Sequence, residues 1–175
     1  MKKVTAFFGL SLMLVMIVSF CTIGKEKIEW LSFARMQEAY AKNPKPIIVD
    51  VYTGWCGWCK VMDKETYGNE KVAAYINEKY YAVKFDAETQ EGIEWRGKKY
   101  GYNAQYKINE LALYLLNGQL SYPTTVFLVT PDAKPAPLAG YLKPKEIESP
   151  LRFFGDGFYK TKNFPEYLKG FSASW

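Results

Sequence analysis

The sequence predicts an α/β domain: a central mixed β-sheet flanked by helices. Three observations carry that reading. Apolar residues recur at helical spacing in several segments from residue 25 onward. Short β-branched runs lie between those segments, bounded by proline and glycine. The two patterns alternate in the order helix, strand, helix, helix, strand, helix, strand, strand, helix. A chain of 175 residues has room for one such domain with one sizeable core, and no internal repeat divides it.

The elements follow in order. "LSFARMQEAYAKN" places Phe33, Met36 and Tyr40 at helical spacing, with Ser32 as an N-cap, and "NPKP" stops it. "PIIVDVY", residues 46–52, is a short apolar run of the kind buried on both faces of a sheet, with Asp50 as its one anomaly. "TGWCGWCK" follows, then a helix through about Tyr67. "NEKVAAYINEKY" carries Val72, Ile76 and Tyr80 along one helical face, and "YAVKFDA" reads as a strand. "IEWRGKKYGY" is a candidate hairpin turning at Gly97. Its Trp95, Tyr100 and Tyr102 either pack onto the domain, the favoured reading, or contact a partner. "INELALYLLNG" gathers Ile108, Leu111, Ala112, Leu115 and Leu116 on one helical face, closed by Gly118. "TTVFLVT", residues 124–130, is a clear strand, "PDAKPAP" a turn and "LAGYL" its hairpin partner. Short helices around 145–154 and 164–170 finish the chain.

The N-terminus reads as a targeting segment. Lys2 and Lys3 precede an uncharged, mainly apolar run over residues 4–20, and polar sequence follows from Thr22. Residues 1–24 are therefore assigned to a leader and 25–175 to the folded domain. "VSFC" looks like a bacterial lipoprotein signal in which Cys21 becomes the lipidated first residue, although Phe20 stands where that signal has a small residue. A cleaved secretory signal and an uncleaved anchor are the other readings. All three export the domain, to the periplasm or to a membrane-anchored position facing away from the cytoplasm, where disulfides persist. The net charge of +5 falls to +3 without Lys2 and Lys3, and the basic residues are scattered, so no nucleic-acid partner is expected.

Cys56 and Cys59 raise the chemical question. The chain has one other cysteine, Cys21, and no histidine. A zinc site needs about four ligands, which this chain could supply only by sharing the metal between two copies. No metal ligand set is assigned. A purely structural disulfide across two residues closes a tiny loop and stabilises little. A redox pair is the third and favoured reading. A cysteine at a helix start faces unpaired N–H groups, and its thiol pKa can fall from ~8.5 to somewhere in ~3.5–7.5. Cys56 would then attack and Cys59, one turn further in, would resolve the mixed disulfide. Gly57 allows the tight entry into the helix, and Trp55 would cover one side of the sulfurs.

"IIVDVYTGWCGWCK" resembles the active-site segment of thioredoxin-fold oxidoreductases, in which an aspartate on the central strand stands six residues before the first cysteine, as Asp50 does here. "SYPTTVFL" resembles the family's cis-proline loop, with Pro123 just before a strand. The wider stretch, residues 28–155, is most similar to thioredoxin-related proteins of bacterial envelopes. The resemblance implies a thioredoxin-like fold with an insertion before the cis-proline strand, since 36 residues separate Asp86 from Pro123. It implies catalysis by Cys56 and Cys59 with Asp50 moving the proton, and Lys84 as a neighbour of Asp50. Trp55, Gly57, Trp58, Tyr122 and Pro123 would meet the substrate. No cofactor is implied beyond the cysteine pair. The partners implied are protein thiols or disulfides, an envelope redox protein that supplies or takes electrons, and a membrane reached through the leader. Trp58 replaces the proline of the commonest motif, which leaves the redox direction open; Asp50 and its strand favour a reductase. The contrasting class is a non-catalytic thioredoxin-fold interaction or chaperone-like module tethered to the membrane.

Overall fold

The computed structural model describes residues 27–175. The leader and Cys21 lie outside the described residues. Strand β1 (Trp30–Leu31) precedes helix α1 (Phe33–Lys42), and β2 (Ile47–Tyr52) leads into α2 (Gly57–Met62), which runs on as a π-helical turn over Asp63–Tyr67. Next come α3 (Glu70–Lys79) and β3 (Tyr81–Asp86). Two small ladders follow, β4 (Ile93–Trp95) with β5 (Lys98–Tyr100), and β6 (Tyr102–Asn103) with β7 (Ile108–Asn109). The chain then forms α4 (Glu110–Leu115), β8 (Thr124–Leu128), β9 (Ala136–Ala139), α5 (Pro144–Gly155), a 3-10 turn at Phe158–Lys160 and α6 (Phe164–Leu168).

The main sheet has the order β1-β3-β2-β8-β9. β1, β3 and β2 are parallel, while β8 runs antiparallel to β2 and β9 antiparallel to β8. β2 is central, and strand periodicity sorts its residues between two cores. Ile47, Val49 and Val51 join Phe33, Met36, Val83, Phe85, Trp95, Leu111 and Leu115 on the face covered by α1, the hairpin and α4. Ile48 joins Met62, Tyr67, Val72, Ile76, Phe127, Ile147 and Leu151 under α2, α3 and α5. Asp50 shares the parity of Ile48, so it points into the second layer. Lys84 on β3 and Thr125 on β8 are its register partners. Burial of each large aliphatic side chain in these layers contributes about 1.5–3 kcal/mol.

Several boundaries differ from the sequence reading. Ile108 lies in β7 rather than in the helix, because Asn109 caps that helix by accepting from Leu111 N–H at 3.0 Å. β8 stops at Leu128, where its partner Ile47 begins β2. β9 starts at Ala136, inside the segment read as a turn; Pro137 is tolerated there because β9 is an edge strand. β1 is too short to carry a period. The hairpin at Gly97 is present, with Arg96 at φ 56° and Gly97 at φ 71°, the positive-φ pair that a two-residue loop of this hand requires. Trp95 and Tyr100 are buried and pack the insertion onto the domain, while Tyr102 stays exposed.

Candidate active site

β2 ends at Tyr52, and the chain turns through Thr53, Gly54 and Trp55 into α2. Cys56 is the N-cap of that helix. Its N–H donates to Thr53 O at 3.2 Å, and its sulfur accepts from Cys59 N–H at 3.0 Å. Cys56 and Cys59 form a disulfide with Cα atoms 5.3 Å apart. In this oxidised state the two residues are equally buried, each 4% exposed. The bond and the capping geometry turn the Cys56 sulfur in over the helix end.

Aromatic side chains flank the pair. Trp55 is 69% exposed and Trp58 62% exposed, unusual for so large an apolar surface. Trp55 is held from two sides. Its indole N–H donates to Glu88 at 2.9 Å, and its ring meets Tyr122 edge-on at 6.0 Å. Trp58 stacks on Tyr141 at 5.5 Å, and the Tyr141 hydroxyl donates to Glu65 at 2.5 Å. The Tyr122–Pro123 bond is cis, as the resemblance implied. Trp58, Tyr122, Pro123, Gly140 and Tyr141 line a shallow groove of about 210 Å³. The sequence reading missed Tyr141, because nothing local links residue 141 to residue 58. Gly57 opens α2 with no atom within 4 Å of where a Cβ would stand.

Beneath this surface lies a polar cluster inside the second core layer. Asp50 is 2% exposed, and none of the described groups hydrogen-bonds its Oδ1. Lys84 Nζ is 3.7 Å from Asp50 Oδ2 and makes a closer ion pair with Asp63 on the π-helical turn. Burial pushes the Asp50 carboxyl up to about 7; the Lys84 charge opposes that rise and the Asp63 charge adds to it. Tyr67, also on the π turn, shares a hydrogen bond with Thr125 at 2.9 Å. Burial first, and then the Asp50 charge, push its hydroxyl well above the ordinary tyrosine value. Lys84 is the neighbour of Asp50 that the resemblance implied. Asp63 was not singled out, since a charge after an apolar turn reads as an exposed helix position. Among the described residues, no group of three or more His, Cys, Asp or Glu is placed to hold a metal ion. The arrangement offers a disulfide at a helix start, an aromatic groove beside it and a buried carboxyl that titrates near neutrality.

Comparison with known proteins places this geometry. The family model Thioredox_DsbH, described as a protein of unknown function, DUF255, matches residues 20–155. The uncharacterized protein B0495.5 of Caenorhabditis elegans is 31% identical over 129 residues, which is 72% of this chain and 16% of that protein. The chain thus spans only a small part of that relative's length. Among solved structures, a DsbH oxidoreductase aligns with TM-score 0.54 at 17% identity, covering 77% of this chain and 89% of its own. A thioredoxin-fold protein from Helicobacter pylori aligns with TM-score 0.56 at 20% identity, covering 73% and 84%. The two structures share the thioredoxin fold with this chain. With most of its length inside the family match, the chain belongs to the thioredoxin-like DsbH family, the proteins of unknown function DUF255.

Proposed function

We propose that this protein is a thiol–disulfide oxidoreductase of the cell envelope, working on protein substrates more as a reductase than as an oxidase. The observation that carries the reading is the Cys56–Cys59 disulfide at the start of α2, on the side of the sheet where Asp50 is buried. The name of the DsbH oxidoreductase with the same fold supports it.

In the reducing direction, the Cys56 thiolate attacks one sulfur of a substrate disulfide. A Cys56–substrate bond forms, and the other substrate sulfur leaves as a thiolate that takes a proton from water. Asp50, in its ionised form, takes the Cys59 proton, directly or through water. The Cys59 thiolate then attacks Cys56, closing the intramolecular disulfide and releasing the second substrate thiol. Two electrons pass to the substrate, and a thiol protein of the envelope must return them. The groove between Trp58, Tyr141 and Pro123 receives the substrate segment, and Trp55 with Tyr122 bounds its other side. The leader over residues 1–24, with Cys21 as the lipid-bearing residue, carries the domain out of the cytoplasm and holds it at the membrane.

The test is reduction of a disulfide-bonded protein such as insulin, with dithiothreitol as electron source. The wild type should accelerate it well above the thiol background. Cys56→Ser should abolish the acceleration, and Cys59→Ser should accumulate a Cys56–substrate mixed disulfide. Brief alkylation of the reduced protein below neutral pH should modify Cys56 first. No acceleration by the wild type would leave the non-catalytic module as the reading. Equilibration with glutathione gives the direction: family potentials run from about −270 mV for reductants to about −120 mV for oxidants.

A further inference from the structure

We propose that Asp63 is a positioning residue for the redox chemistry, acting through Lys84: it draws to itself the ammonium group that faces Asp50 and leaves the Asp50 carboxyl without a matched partner. The inference rests on the oxidoreductase reading, but its central measurement does not need activity.

Lys84 enters the second layer from β3, directly opposite Asp50 in the parallel register. A lysine there would ordinarily close on the buried carboxylate. Here its ammonium is 3.7 Å from Asp50 Oδ2, pairs closely with Asp63, and lies over the Trp30 and Tyr52 rings at 5.5 and 5.2 Å. Asp63 begins the π-helical turn at the end of the redox helix, where its N–H donates to both Cys59 O and Lys60 O. Asp63 is on the solvent side of the cluster, with its side chain 39% exposed, whereas the Asp50 side chain is 3% exposed.

Two carboxylates therefore share one ammonium, and the buried one has the weaker claim. The other titratable groups facing Asp50 are Tyr67 from the π turn and Tyr52 from its own strand, both with hydroxyls pushed up by burial. Asp86 acts on Tyr52 from the end of β3, and Thr125 on β8 does not titrate. Burial is the largest influence on Asp50 and raises its pKa; Lys84 is the cation that opposes it and Asp63 adds to the rise, so the division of Lys84 sets how far burial is offset. A proton on Asp50 relieves the excess negative charge. A carboxyl poised in this way can accept a proton from a thiol and give it back, which a tightly ion-paired carboxylate cannot do near neutral pH.

The test is an NMR titration of the Asp50 carboxyl carbon in the oxidised protein, assigned by loss of the signal in Asp50→Asn. In Asp63→Asn, Lys84 turns to Asp50 and the Asp50 midpoint should fall by about 1–3 units. Asp63→Glu should restore it. In a Lys84→Met background the same Asp63→Asn change should move the midpoint much less, because no ammonium is left to redistribute. An unmoved or raised midpoint in Asp63→Asn overturns the proposal. So does an equal fall with and without Lys84, which would mean that Asp63 acts by direct repulsion alone. Asp63→Ser serves if Asp63→Asn does not fold. In the exchange assay, the pH dependence governed by Asp50 should shift to lower pH in Asp63→Asn. Absence of exchange in every variant would count against the oxidoreductase reading and leave the titration result standing.

Discussion

Asp50 sits on the central strand where a sheet buried on both faces normally holds a valine or isoleucine, and its folded-state cost follows from that position. Its carboxyl ionises at 3.8 when free and is pushed up to about 7 by burial in the fold. Between those values the folded chain holds a proton that the unfolded chain has lost, so unfolding releases it. Stability therefore falls as pH rises through this window and levels off above about 7. A rise of about three units at about 1.4 kcal/mol each sets a ceiling of about 4 kcal/mol for the loss. Asp50→Asn should flatten the dependence and make the oxidised protein more stable at pH 8, with little change at pH 4. Urea unfolding at the two pH values measures this, and an unchanged slope would remove Asp50 as its source. The same variant should slow disulfide exchange near neutral pH with the fold intact. Cys56 gives a second lesson at this scale. Its spacing and its place at a helix start are local properties and were legible in the sequence. Its burial depends on the disulfide and on the turn from Thr53, and was not.

The redox helix is the element whose form matters most. Its sequence predicts one helix through about Tyr67, and the chain does stay helical that far. The last turn is wider, with the π-helical stretch Asp63–Tyr67 ending at Gly68. π turns are uncommon and recur at functional sites; this one carries both Asp63 and Tyr67 toward Asp50. Gly68 is needed at its end because a Cβ there would stand 2.5 Å from the Lys64 carbonyl oxygen, a backbone atom that cannot move aside alone. Gly68→Ala should cost about 1–3 kcal/mol and open the turn. Thermal unfolding measures the first effect. The Asp50 midpoint measures the second, which should change with the position of Asp63. A variant with wild-type stability would show that the turn relaxes without strain. Helix widening of this kind has no sequence signal of its own, unlike the caps, where Ser32, Asn69 and Asn109 each accept from a backbone N–H.

Across the whole molecule, the chain after the redox motif packs back onto α1 and onto its own later segments. The insertion over residues 87–122 buries Trp95 against Phe33 and ties Arg96 to Asp132 at 2.6 Å. At the far end, buried Glu148 accepts from Ser174 N–H at 2.6 Å, Trp175 N–H at 3.0 Å and Arg152 at 2.9 Å. Burial pushes that carboxyl up, but these hydrogen bonds outweigh burial and hold it below the usual carboxylate range. The proposal of a tethered domain belongs to this scale too. Mass spectrometry of the mature protein from a membrane fraction should find acyl groups on an N-terminal Cys21, whereas a soluble chain beginning after Gly24 would mean an ordinary secreted protein. The sequence by itself determined the alternation of helix and strand, the Ser32 cap, the cysteine pair and the place of Asp50 on a buried strand. Each of these is written within a few neighbouring residues, through periodicity, capping chemistry and spacing. Only the tertiary structure decided that Lys84 is divided between Asp50 and Asp63, that Trp58 stacks on Tyr141, and that Trp95 packs inward. Those contacts join residues 21 or more positions apart. Their energies depend on distance and burial, which exist only after the sheet has brought the segments together.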